Sequence, residues 1–305
     1  MMSDIKIIPS KNIDRQKWDA CVERNDNGLI YARSFYLDTM SENWSAIIAG
    51  DYEVIMPLTW RSMFGIKYLS KETFIQQLGI IGTAEESVIK KIIGIALKGY
   101  NLYGRLSFNF SNNISYLHNI KPKINFIIDL QQPYSDIFKS YTESLQRNVR
   151  RAIKNGVTIM PASNTEAAHA YRDYLFTFMD IKQVKNIFKR VDKLIQDKAA
   201  GKFILSKKAI DENGNTLAIC LWLKDNKRIY NVMPTTLSSG KDKVAMPLLL
   251  NNIIEEHCEQ KMYFDFEGSE LPGIKKFYEK FSPVNQPYFL YEYNNLRWPL
   301  KLLKK

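Results

Sequence analysis

The sequence predicts an α+β fold with mixed sheets in two tandem domains, and three observations carry that expectation. Two stretches show the same order of antiparallel strands, a helix and one further strand. A polar interval at Gln131-Gln132-Pro133 lies between them. A chain of 305 residues, 45% hydrophobic and 25% charged, is long and apolar enough to give each half its own core.

In the first half, Trp44 to Gly50 and Tyr52 to Trp60 read as two strands joined at Gly50-Asp51. A helical stretch, Glu85 to Lys98, and a strand, Leu102 to Phe110, follow. In the second half, Lys202 to Ile210 and Thr216 to Leu223 flank the turn Asp211-Glu212-Asn213-Gly214. Arg228 to Met233 adds a third strand, Met246 to Glu259 a helix, and Met262 to Glu267 a last strand. The polar interval divides the chain into residues 1–132, expected to support the other half or bind an acceptor, and 133–305, expected to hold the site.

After that boundary, Ser135 is placed to cap a helix carrying Phe138, Tyr141, Leu145, Val149 and Ile153 on one side and closing at Asn155-Gly156. On its other side Arg147, Arg150, Arg151 and Lys154 recur at i, i+3, i+4 and i+7. Four cations with no acidic residue between Gln146 and Lys154 make either a solvated face or a seat for an anionic ligand. The whole-chain net charge of +11 also favours an anionic partner such as phosphate, nucleic acid or lipid headgroup without naming which.

Other features exclude function classes. Cys21, Cys220 and Cys258 are isolated and odd in number, which argues against a disulfide framework and fits a reducing, cytoplasmic setting. The opening residues have no apolar signal core, and no stretch reaches the length of a membrane span. His118, His169 and His257 stand in no metal-ligand spacing, so metal catalysis is not expected.

Two segments carry candidate chemistry. From Val232 to Leu250 a strand runs into a small polar loop with Gly240, and a helix then opens with Pro247 in its first turn. Backbone N–H groups at such a junction, with the helix dipole behind them, suit a pyrophosphate. From Met262 onward an alternating strand leads to the carboxylates Asp265 and Glu267, and a short helix then presents Tyr278. A carboxylate at a strand end can take a proton from an amine, and a phenol can return one to a leaving group.

Together these segments resemble the GNAT acyltransferase superfamily, in which a strand, loop and helix cradle coenzyme A. Phe277-Tyr278-Glu279-Lys280-Phe281 is similar to that superfamily's Leu-Tyr-Glu-Lys-Leu-Gly-Phe ending. The resemblance implies an N-acyltransferase with acyl-CoA, acetyl-CoA above all, as donor and a small amine or peptide-like acceptor. It assigns coenzyme A binding to Gly240, Lys243, Val244, Ala245 and Met246, and protonation of the leaving group to Tyr278. Asp265 and Glu267 become the candidate bases, and the N–H groups near Val244 would steady the carbonyl oxygen. The loop departs from the family pattern in lacking its central glycine.

A narrower resemblance covers more of the chain. Leu145 to Val157 is similar to the Arg-Asn-x-Ile-Arg-Lys-Ala-x-Lys-x-Gly-Val stretch of the Fem-type aminoacyl transferases, which build peptidoglycan cross-bridges with two GNAT-like domains. This implies aminoacyl-tRNA as the alternative donor. Where Fem-type enzymes have Phe-Lys-Lys or Phe-Lys-Arg, this chain has Phe277-Tyr278-Glu279, which favours a general N-acyltransferase. A module that binds an anionic ligand without turnover is the reading from a different class.

Overall fold

The computed structural model describes residues 5–268, 270–298 and Lys301; the opening segment Met1–Asp4, read above for its lack of a signal core, lies outside them. The chain divides into two compact units, one made of residues up to Lys123 together with those from Pro287 onward, the other of Ile124–Gln286. The first unit begins with β1 (Ile5–Pro9), α1 (Arg15–Arg24), α2 (Ser34–Met40), β2 (Asn43–Ala49), β3 (Val54–Met63) and β4 (Ile66–Leu69). It continues through α3 (Glu86–Gly99), β5 (Tyr103–Phe108) and β6 (Ile120–Lys123). The second unit runs through β7 (Phe126–Asp129), α4 (Tyr134–Ser140), α5 (Glu143–Lys154), β8 (Thr158–Pro161), α6 (Asn164–Leu175), α7 (Ile181–Gln196) and α8 (Lys198–Gly201). Then come β9 (Ile204–Ile210), β10 (Thr216–Lys224), β11 (Arg228–Thr236), α9 (Ser238–Asp242), α10 (Ala245–Glu256), β12 (Tyr263–Asp265), α11 (Pro272–Glu279) and β13 (Val284–Asn285). The chain returns to the first unit with β14 (Tyr288–Asn294).

Each unit holds a mixed sheet of seven strands, ordered β1-β2-β3-β4-β5-β14-β6 in the first and β8-β9-β10-β11-β12-β7-β13 in the second. Neighbours are antiparallel except β4–β5 and β11–β12. A parallel pair needs a crossover, which α3 supplies in the first unit and α9 with α10 in the second. The sixth place in each sheet is filled by a strand from elsewhere in the chain. β14 enters between β5 and β6, and β7 enters between β12 and β13. The division therefore differs from a cut at 132/133: the apolar run before Gln131 belongs to the second sheet, and Tyr288–Asn294 to the first.

Strand alternation fixes what each face of the second sheet meets. On β9, Ser206 and Lys208 bond Asn164 and Glu166 of α6, whereas Lys207, between them, bonds Asn252 and Glu256 of α10. The α10 face carries the core: Leu145, Val149 and Ala152 of α5 join Cys220, Trp222, Leu249, Ile253 and Phe264. The first unit buries Ile47, Met56, Ile92, Ala96 and Phe108 in the same manner.

The single helix expected from Ser135 is two. Tyr141 and Thr142 are extended, and Thr142 caps α5 by accepting from the Leu145 N–H at 3.4 Å. Ser135 caps nothing, since α4 starts after Pro133 without a side-chain cap. Ile153, expected on the apolar side, is 60% exposed, because the buried stripe runs through Leu145, Val149 and Ala152. Among the described residues no helix is long and apolar enough to cross a membrane.

Candidate active site

The site begins with a split in the second sheet. β11 and β12 pair only from Arg228↔Tyr263 to Tyr230↔Asp265. Beyond that point β12 ends, while β11 continues to Thr236 along β10, so one edge of β11 has no partner strand among the described residues. A β-bulge strengthens the divergence: Asn231 and Val232 together face Trp222, because Met233 pairs with Leu221 and Tyr230 with Leu223. The gap is a cleft of about 470 Å³. Tyr171 and Tyr174 of α6, Asn231 and Thr235 of β11, Met246 of α10, Glu267 and Tyr278 are among its walls.

Tyr278 is set by its packing. Its ring lies 4.7 Å from that of Phe266 and 5.7 Å from that of Phe277, and it is 5% exposed. The Asn231 amide donates to its oxygen at 3.2 Å. Burial first, then Cys220, Tyr171 and Glu267, raise the phenol's pKa above its ordinary 10.0, and the bond from Asn231 opposes them weakly. Tyr278 therefore keeps its proton across the neutral range, and that proton is not engaged by Asn231. Glu267 borders the same cleft with a left-handed backbone, φ 59°. Such a conformation is costly for a residue with a side chain, and it holds the carboxylate at the turn after β12. Its charge and, above all, burial push the nearby Tyr171 phenol up to about 12.

Asp265 is placed differently. It is fully buried and bonds Arg228 Nη1 at 2.9 Å, and it also accepts from the Asn125 amide and the Glu267 N–H. It does not border the cleft, and its oxygens are committed to the pair with Arg228, itself 2% exposed. That arrangement supports β12, β11 and the Asn125 segment and leaves no oxygen aimed at a ligand.

The loop between β11 and α10 also differs from the expected cradle. Gly240 is buried, and a Cβ there would stand 2.0 Å from the Leu217 carbonyl oxygen, so glycine is required by close packing against β10. The Val244 N–H donates to Lys241 O at 3.1 Å and is not available to a carbonyl oxygen. Val244 itself is left-handed, φ 50°, strained for a β-branched residue at the start of α10. Of the five residues assigned to coenzyme A, Met246 borders the cleft, joined there by Lys241; Gly240, Lys243, Val244 and Ala245 do not.

The cations of α5 are all exposed. Arg147 meets Glu143 at 3.3 Å, Arg150 lies 5.6 Å over Phe138, and Arg151 donates to the Asp242 carbonyl at 3.2 Å, tying α5 to the end of α9. None of the four, Lys154 included, borders the cleft. His257 is buried and bonds Ile253 O, and among the described residues no group of three or more His, Cys, Asp or Glu could hold a metal ion. Asn231 was not singled out from sequence, although its signal is present: one amide inside the apolar run Ile229-Tyr230-Asn231-Val232-Met233.

No family model and no curated protein matches the sequence. Solved structures do match the fold. FemX superposes with a TM-score of 0.69 at 13% identity, over 98% of this chain and 99% of that one. L-PGS from Bacillus licheniformis gives a TM-score of 0.55 at 15% identity, over 95% of both chains. The C-terminal domain of a candidate lysylphosphatidylglycerol synthetase from Agrobacterium fabrum gives 0.56 at 9% identity, over 95% of this chain and 94% of that one. At these identities the likeness is one of fold, and the two-unit, mixed-sheet fold of this chain is that of FemX.

Proposed function

We propose that the chain is an N-acyltransferase whose second unit moves an acyl group from an activated ester to an amine. The observation that carries this reading is the split-sheet cleft in which a buried phenol, free to donate its proton, shares the walls with a carboxylate. In this reading Glu267 takes the proton of the attacking amine and Tyr278 gives its proton to the departing oxygen or sulfur. Burial of Phe266 and Tyr278 strengthens the hydrogen bond that the phenol gives.

An aminoacyl oxygen ester, as in aminoacyl-tRNA, fits the geometry better than acyl-CoA. An alkoxide leaving group needs a proton, which the Tyr278 phenol can supply because Asn231 donates to its oxygen and leaves its proton unengaged, whereas a thiolate is stable without one. Gly240 serves packing, and the exposed arginines of α5 suit a polyanion. The solved C-terminal domain from Agrobacterium fabrum with this fold bears the name of a candidate lysylphosphatidylglycerol synthetase, and that name couples a lysyl group to phosphatidylglycerol.

Acyl-CoA is the second reading, favoured by the strand-loop-helix order of β11, α9 and α10 with Lys241 at the cleft. Mass spectrometry of the products formed from acetyl-CoA, longer acyl-CoAs and a mixed pool of charged tRNA, each with a panel of amines and short peptides, tests both. Transfer from charged tRNA alone is the expected result. Transfer from acyl-CoA alone would replace the first reading by the second, and binding without transfer from any donor would leave a module without turnover.

A further inference from the structure

Asn231 is 3% exposed, yet only one side of its amide is engaged: Nδ2 donates to the Tyr278 oxygen, while Oδ1 has no partner among the described residues. A buried carbonyl oxygen without a donor is costly, so its position at a cleft wall points to a ligand that supplies one. Thr235 Oγ1 is a second unpartnered atom on the cleft, but four residues along β11 is roughly 13 Å, too far for one small group to reach both. The oxygen beside the phenol is therefore the one that meets the reacting end of a ligand. The same walls carry the Glu267 carboxylate and the Tyr171 ring, which attract a cation, and among the described wall residues Lys241 is the only basic one.

We propose that Asn231 is a positioning and specificity residue for a primary amine. Its N–H fixes the phenol so that the Tyr278 proton turns toward the ligand, and its carbonyl oxygen accepts an N–H from an ammonium or amino group on the substrate. The group is either the α-amino group of an aminoacyl donor or the attacking amine, and both present the same chemistry to Oδ1. The role of Tyr278 rests on the transferase reading; the amine subsite is tested by binding alone.

Saturation-transfer NMR on the full chain compares L-leucinamide with N-acetyl-L-leucinamide, and n-pentylamine with N-acetylpentylamine. We expect the free amine to be preferred about tenfold or more, as befits one charge-assisted hydrogen bond. Preference in the leucinamide pair alone identifies the donor's α-amino group, and preference in both pairs identifies the attacking amine. Asn231→Asp, which keeps an acceptor oxygen, should retain the preference, and Asn231→Leu should reduce it to within about twofold.

Equal binding of free and acetylated probes by the unmodified chain, or no binding of any, overturns the proposal without need of a variant. Transfer assays on the same proteins separate the two roles. Asn231→Asp should keep the preference yet lose turnover, because the phenol then donates to the new carboxylate. A chain that transfers nothing but prefers the free amine keeps the subsite and loses the enzyme reading; a transferase without the preference loses the subsite alone.

Discussion

Two carboxylates stand two residues apart, Asp265 at the end of β12 and Glu267 in the turn after it, and their surroundings differ. Asp265 is enclosed with Arg228, and removing one member of a buried pair costs about 3–5 kcal/mol. Asp265→Asn should therefore lower the midpoint of chemical denaturation markedly, with residual turnover in the fraction that folds. Glu267→Gln should leave that midpoint near its original value and remove most turnover. Tyr278→Phe keeps the ring against Phe266 and loses the proton, so turnover should fall ~100-fold with the circular dichroism spectrum unchanged. The buried phenols also set a pH limit. Tyr141, Tyr171, Tyr278 and Tyr293 all have raised pKa values, chiefly through burial, while unfolded tyrosines ionise near 10. Above that pH the unfolded chain binds fewer protons than the folded one, so stability falls with rising pH; below it the contribution is fully present. Thermal melts should be flat in this respect to about pH 9 and decline beyond pH 10, with part of the tyrosinate absorbance appearing only on unfolding.

At the level of elements, α5 joins a buried stripe to an exposed basic side, and Arg151 ties it to Asp242 at the end of α9. If charged tRNA is the donor, Arg150→Ala with Arg151→Ala should weaken binding and reduce the slope of log affinity against log salt by roughly two. An unchanged slope in a salt series would return α5 to a solvated face. The strand and helix repeats were legible in sequence because strong periodicity marks them: β2, β3, α3, β9, β10, β11 and α10 lie within a few residues of expectation. The break at Tyr141-Thr142 was not, since Phe138, Tyr141 and Leu145 keep helical spacing across it and pack on one core without a continuous helix. The site was legible in part. Tyr278 and Glu267 border one cleft because α11 follows β12 closely, but Asn231 joins them through a bulge and a divergence of strands, which depend on pairing partners far along the chain. α6 and its tyrosines escaped notice for the same reason: Tyr171 becomes a wall only when α6 is laid against β11.

For the whole molecule, the sheet compositions determine which pieces can stand alone. A fragment of residues 124–286 contains every strand of its sheet, β7 and β13 included. A fragment of 133–305 loses β7 and carries β14 without the sheet that receives it. The first should give a cooperative melt and dispersed amide resonances; the second should be destabilised or insoluble, because the edge of β12 is left open.

The same placement of β14 sets a timetable for synthesis. A chain leaving the ribosome exposes nearly all of the first unit early, but that sheet lacks the strand between β5 and β6 until residues 288–294 emerge. The second unit is continuous in sequence and complete by Gln286. Domains of most chains finish in the order they are made. Here the later-made half reaches its full set of strands first, and the earlier-made half waits, with β5 unpaired on one side, for residues 288–294.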